Sequence, residues 1–154
     1  MQQEAVAIKM EAAHLTRSKI VAVARSWIGT PYHNRAAIKG VGADCLGVLR
    51  GVYSELYQIE PEKPPHYNAN WSDINREELL LQKAQQYLEP ASDIDCGNVL
   101  IFRMNPSRAA KHCGIVTTAG LMVHALSGHK VEEVHISSRY LPRIVSIFKF
   151  PGVK

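Results

Sequence analysis

The stretch GADCLGVLRGVYSEL, residues 42–56, sets a cysteine at the point where a polar, glycine-containing segment turns helical. Cys45, Leu49, Val52, Tyr53 and Leu56 recur at three- and four-residue spacing, so the pattern predicts a helix with these residues on its buried face. Cys45 then sits in the first turn and points inward. Working back towards the N-terminus, Ala36 to Ala43 reads as a loop. Before it, Ile20, Val23, Ala24, Trp27 and Ile28 keep helical spacing from Arg17 to Ile28. Gly29 and Pro31 supply the stop, since Gly accepts a left-handed cap and Pro cannot continue a helix. Residues 1–16 are weakly patterned and read as an arm, a loose segment or an accessory helix.

Towards the C-terminus, Gln58 to Arg76 carries Pro61, Pro64 and Pro65 with few apolar residues, a surface excursion rather than a linker. Glu77 to Leu88 predicts a third helix, ended by Pro90. Beyond it the pattern is extended, with strands expected at Val99–Arg103, Cys113–Thr117, Leu121–Leu126, Val131–Ile136 and Ile144–Phe150. Turns fall at Ala119–Gly120 and Ser127–Gly128, and Ser138–Leu141 predicts a short helical turn. Helices followed by a run of neighbouring strands imply an α+β fold with an antiparallel sheet.

A chain of 154 residues suits one compact domain, expected over residues 17–154. A hydrophobic share of 46% and a charged share of 21% are those of an ordinary globular protein, which needs no metal or disulfide staple at this size. The net charge of +4 comes without a Lys/Arg run or interleaved aromatics, so nucleic acid is not an expected partner. Three cysteines, at 45, 96 and 113, form no disulfide framework and suggest synthesis in a reducing compartment. Met1 to Leu15 shows no apolar core of a secretory signal, and no stretch is long enough to insert in a membrane.

A cysteine at a helix start feels the positive end of the helix dipole and free backbone N–H groups, which favour the thiolate. The same N–H groups can hold the oxyanion of a tetrahedral intermediate. The plainer reading is a buried cysteine used as a small hydrophobe. A base would have to come from the seven histidines, and five of these lie in loops, termini or polar strand faces. His112 opens one expected strand and His124 lies inside the next. A three-residue loop around Ala119 would set His124 opposite Gly114 with His112 diagonally beside it, roughly 7–8 Å away. A two-residue turn would send the two histidines to opposite faces. Geometry thus permits a relay in which His112 deprotonates Cys45 and His124 orients His112, and it equally permits two sheet histidines without such a role.

Five segments in order carry a resemblance: Trp27-Ile28-Gly29-Thr30-Pro31-Tyr32, Gly42-Ala43-Asp44-Cys45-Leu46-Gly47, Gly97-Asn98-Val99-Leu100-Ile101-Phe102, Lys111-His112-Cys113-Gly114-Ile115 and Val123-His124-Ala125. Together they resemble the NlpC-type papain-like cell-wall cysteine peptidases, most of all their bacteriophage and prophage branch, from about Arg17 to Pro151. The resemblance implies a papain-like fold, N-terminal helices packed on a C-terminal antiparallel sheet of about five strands. It implies a Cys-His-His site on Cys45, His112 and His124 that hydrolyses peptide stems of peptidoglycan, typically between D-glutamate and a diamino acid, with no metal or organic cofactor.

Tyr32 matches a tyrosine lining the family's site, and Asp44 an acidic residue that helps recognise the stem peptide. Read from position alone, Tyr32 is a loop aromatic and Asp44 a helix N-cap. Leu46 stands where many relatives have Ser, as is common in the phage-like branch, and Cys113 where many have Val. Cys113 follows His112 and should face the other side of the strand, as core packing. Tyr67 and Trp71 of the Pro-rich excursion could rim a groove or simply cover the core. The expected setting is synthesis in the bacterial cytoplasm without a signal peptide, then delivery in a phage tail or tail-like particle.

Three other readings compete. A zinc site from Cys45, Cys113, His112 and His124 is disfavoured because the adjacent His112 and Cys113 project oppositely. A papain-like acyltransferase or amidase would share the same acyl-enzyme chemistry. A non-catalytic tail component could retain the fold.

Overall fold

The computed structural model describes residues 15–61 and 78–154. Tyr67, Trp71 and nearly all of the expected arm lie outside these residues. Among them, three helices come first: α1 (Arg17–Arg25), α2 (Cys45–Tyr57) and α3 (Leu79–Tyr87). A short ribbon of β1 (Ala37–Ile38) and β2 (Gly42–Ala43) precedes α2. The remaining strands are β3 (Glu89–Ala91), β4 (Val99–Phe102), β5 (His112–Thr118), β6 (Leu121–His124), β7 (Glu132–His135) and β8 (Ile144–Lys149). They form one antiparallel sheet in the order β3-β8-β4-β5-β6-β7. The chain is therefore α+β, helices first and sheet second.

The five expected strands correspond to β4 through β8. The sixth, β3, is three residues long with Pro90 in its middle, a residue a sheet accepts at its edge. The segment read as a loop before Cys45 contains the β1–β2 ribbon, two residues a side, too short to show a period. The helical turn expected at Ser138–Leu141 continues into a 3-10 turn over Leu141–Arg143.

Helix α1 begins where the Thr16 hydroxyl accepts the Lys19 N–H at 3.1 Å, and Leu15 before it is already buried in the core. It ends at Arg25, earlier than the apolar spacing suggested. From Trp27 to Thr30 the backbone N–H groups reach back three residues instead of four, and Gly29 N–H is drawn to the Val131 carbonyl at 2.8 Å. Trp27 is thereby pressed against α2. A Cβ at Gly51 would meet its indole at 2.0 Å, so glycine is what lets the two helices approach.

Strand β4 is buried at every position because both faces of the sheet are covered. Val99 and Ile101 pack with Cys113, Ile115 and Val123 against Ile20, Leu49, Val52 and Tyr53 of the helices. Leu100 and Phe102 point the other way, into a smaller cluster with Val116, Met122, Ile136 and Tyr140. Each fully buried aliphatic here is worth about 1.5–3 kcal/mol relative to exposure.

Two features position the histidines. In the β5–β6 hairpin Val116 pairs with Met122 but Thr118 with Leu121, so Thr117 is one extra residue on β5. The tip is Ala119–Gly120, with Gly120 at φ +81°, and the bulge sets Gly114 opposite His124. The connection from β4 to β5 is tied down by Glu78, which pairs with Arg103 and accepts the Ala110 N–H at 2.9 Å. The chain thus enters β5 at His112 from a fixed point.

Candidate active site

Cys45 is the first residue of α2, and Asp44 makes it so. Asp44 is extended, with its Oδ1 accepting the Gly47 N–H at 2.7 Å, a helix N-cap. Its Oδ2 accepts the Arg35 N–H, also at 2.7 Å, which ties the 33–36 loop to the helix start. Asp44 is 4% exposed, so its carboxylate is buried at the helix start. The loop crosses directly over the helix. A Cβ at Gly47 would lie 1.8 Å from the Ala36 carbonyl oxygen, so only glycine fits there.

The same crossing brings Tyr32 in. Residues 31–33 run beside Ala43, with Ala43 N–H on the Pro31 carbonyl at 3.0 Å and His33 N–H on the Ala43 carbonyl at 3.2 Å. Burial, then the negative charges of Cys45 and Asp44, push the Tyr32 hydroxyl up to about 12. It keeps its proton at neutral pH beside the cysteine.

Lys111, just before β5, and His112 and Cys113, at its start, lie around Cys45. The Cys45 thiol donates to the Lys111 carbonyl at 3.4 Å. His112 leaves the strand towards Phe102 and Tyr140, while Cys113 leaves on the helix-facing side and donates to the Cys45 carbonyl at 3.3 Å. The Cys45 pKa falls from 9.0 to about 5. A hydrogen bond from Cys113 favours the thiolate most, and His112 adds to it as hydrogen-bond partner and as charge. Burial and the Asp44 carboxylate oppose them. The Cys113 thiol has one proton, aimed at a carbonyl in the resting geometry. A thiolate next to it is the stronger acceptor, towards which the S–H can turn.

His112 Nε2 lies 2.8 Å from His124 Nδ1. His124 is 2% exposed, and burial, then the charges of His112, His129 and Arg139, lower its pKa from 6.5 to about 4. It is therefore neutral at physiological pH. With a proton on its own Nε2, its Nδ1 accepts from His112 Nε2–H and leaves His112 Nδ1 for the cysteine side. Tyr140 backs both rings, stacked on His112 at 26° and edge-on to His124 at 87°. Beyond His112 an open groove of about 370 Å³ is lined by Met104, Asn105, Arg108, Lys111, Leu126 and Tyr140.

The residues singled out from sequence thus meet at one place: Cys45, His112 and His124 form a chain, with Tyr32 and Asp44 beside the cysteine. Sequence reasoning placed Cys113 on the opposite strand face from His112, which is where it lies, but not under Cys45. It also missed Tyr140, which no motif marks. Among the described residues, no three or more His, Cys, Asp or Glu side chains are grouped as a metal ion would need.

A papain-like α+β fold with a cysteine opening a helix and two histidines on neighbouring strands defines the class. The NlpC/P60 family model matches residues 29–148, and the chain belongs to that family. Among solved structures, the NlpC/p60 domain of the peptidoglycan hydrolase SagA superposes with a TM-score of 0.59 at 19% identity, covering 88% of this chain and 100% of that one. An NlpC/P60 family protein from Bacillus cereus gives 0.61 at 16% identity, over 87% of this chain and 40% of that one. NlpC1 from Trichomonas vaginalis gives 0.59 at 20%, over 87% of this chain and 43% of that one. The chain therefore spans the whole SagA domain but less than half of the other two proteins. Comparison with curated proteins found no match.

Proposed function

We propose that this protein is a cysteine peptidase acting on the peptide stems of bacterial peptidoglycan, with Cys45 as nucleophile, His112 as acid and base, and His124 orienting His112. The observation that carries this reading is a helix-start cysteine whose ionisation His112 favours, with His112 in turn 2.8 Å from a buried neutral histidine. Family membership supports the cell-wall substrate.

The chemistry follows from the charges. The Cys45 proton passes to His112, so that the attacking species is the thiolate. The thiolate attacks the scissile carbonyl carbon, and N–H groups at the start of α2 hold the oxyanion. Asp44 already occupies the Gly47 and Val48 N–H groups, so Cys45 and Leu46 carry the donors nearest the sulfur. As the tetrahedral intermediate collapses, His112 gives its proton to the leaving amine and the acyl group stays on sulfur. Neutral His112 then takes a proton from water, whose oxygen attacks the thioester, and the thiolate–imidazolium pair returns. Throughout, His124 holds Nε2 of His112 and with it the ring orientation.

The scissile bond we propose is that between D-glutamate and the diamino acid. Tyr32, a protonated donor beside Cys45, lines the stem-peptide site. Asp44, with both oxygens engaged by backbone, contributes to recognition by holding the 33–36 loop in place. Delivery in a phage tail or tail-like particle is proposed on the motif resemblance alone.

The deciding experiment incubates wild type and Cys45→Ala with purified peptidoglycan and identifies released peptides by mass spectrometry. Released peptides that begin with the diamino acid, made by wild type only, are expected, with D-glutamate left at the end of the glycan-bound stub. A folded wild type that alkylates readily at Cys45 yet releases nothing would overturn the peptidase reading in favour of another acyl substrate.

A further inference from the structure

Cys113 is an ionisable group at the site that the proposed mechanism does not use. It is 2% exposed and lies among Ile101, Ile115 and Val123 in the core beneath α2, a place an aliphatic side chain could fill. Yet its sulfur is not aimed into that core. It points at the first residue of α2, with its thiol on the Cys45 carbonyl at 3.3 Å. Lys111 and Cys113 thus hold Cys45 from both sides, the Lys111 carbonyl at the Cys45 thiol and the Cys113 thiol at the Cys45 backbone.

We propose that Cys113 is a positioning residue for Cys45, its buried thiol serving as a hydrogen-bond donor that turns from the Cys45 carbonyl to the Cys45 sulfur when that sulfur ionises. The donor keeps its proton throughout, and no bond to it is made or broken. Two physical features support this. A buried thiol in an apolar pocket has no water to donate to, so a neighbouring thiolate is its best available acceptor. Its own ionisation is also suppressed, first by the hydrogen bond to Cys45 and then by burial, so the proton stays on Cys113 while Cys45 loses its own.

The proposal rests on Cys45 being the reactive sulfur, but its test needs no peptidoglycan, so it stands or falls apart from the substrate. In a Cys96→Ser background, iodoacetamide alkylation of Cys45 is followed against pH, with the labelled peptide identified by mass. Cys113→Val fills the same space without a donor, and Cys113→Ser keeps one. The midpoint of the profile is expected to rise by about one pH unit in Cys113→Val and to stay near wild type in Cys113→Ser. Cys113→Ala serves as the donor-free variant if the valine protein fails to fold. A donor-free variant that folds and keeps the wild-type midpoint would overturn the proposal and leave Cys113 as packing. So would a serine variant that moves as far as the valine one.

Discussion

His112 Nε2 and His124 Nδ1 are 2.8 Å apart, and His124 sits almost fully buried behind His112 with Tyr140 against both rings. A neutral, immobile acceptor fixes which nitrogen of His112 faces the cysteine. His124→Ala should therefore lower kcat on peptidoglycan by about 10- to 100-fold. Cys45→Ala and His112→Ala should remove turnover altogether, because the bond-forming atom or the whole 10²–10⁴-fold acid–base contribution goes with them. Steady-state kinetics on a soluble stem peptide would check the order. A His124→Ala protein that folds yet is as dead as His112→Ala would give His124 a larger part than orientation.

Burial also makes His124 an acid-lability element. An unfolded chain takes a proton there near pH 6.5, while the folded chain resists until about 4. This costs nothing above pH 6.5, and stability is lost progressively as pH falls from 6.5 towards 4. Thermal melts should show wild type losing Tm across that window and His124→Asn losing clearly less. Parallel curves for the two proteins would contradict it.

The depressed Cys45 pKa acts in the same direction over a higher range. Ionisation near pH 5 in the folded protein, against 9.0 without the fold, contributes stability that is full above pH 9 and gone below about 5. Removing the ionisable group in Cys45→Ser should flatten the rise in stability between pH 5 and 9. Urea unfolding at several pH values would measure it, and an unchanged slope would argue for an ordinary thiol.

Gly47 tests the loop crossing. In Gly47→Ala the new Cβ falls on the Ala36 carbonyl, so the helix start and the 33–36 loop must separate. A loss of about 1–3 kcal/mol is expected, with activity falling further than stability because Cys45 moves too. Calorimetry with an alkylation assay would separate the two effects.

Asp44→Ala removes an N-cap and leaves the Gly47 and Arg35 N–H groups without their carboxylate. Stability should drop by about 0.5–2 kcal/mol. If Asp44 shapes recognition through the loop, KM for the stem peptide should rise more than kcat falls. Unchanged KM in a folded variant would restrict Asp44 to capping.

Helix α2, its start at Cys45, the Asp44 cap and the five main strands were all legible in the sequence, because each depends on residues a few positions away. The period of Leu49, Val52 and Leu56 needs no knowledge of what the helix packs against. The apolar run of β4 likewise reads as a strand whichever faces are covered. Short elements such as β3 and the β1–β2 ribbon were not legible, having too few residues to show a period and existing only through their partners.

What tertiary structure alone decided is how these pieces meet. The turn at Ala119–Gly120 has two residues at its tip, which by itself would have parted the histidines. The extra residue Thr117 restored the register that puts His124 opposite Gly114. Bulge geometry depends on cross-strand pairing as well as on local composition. The burial of Asp44 depends on a loop crossing above it, and the meeting of Cys113 with Cys45 on where the end of a helix rests against a sheet. Local spacing determined which residues could do chemistry, and long-range packing, which no local pattern encodes, determined that they do so together.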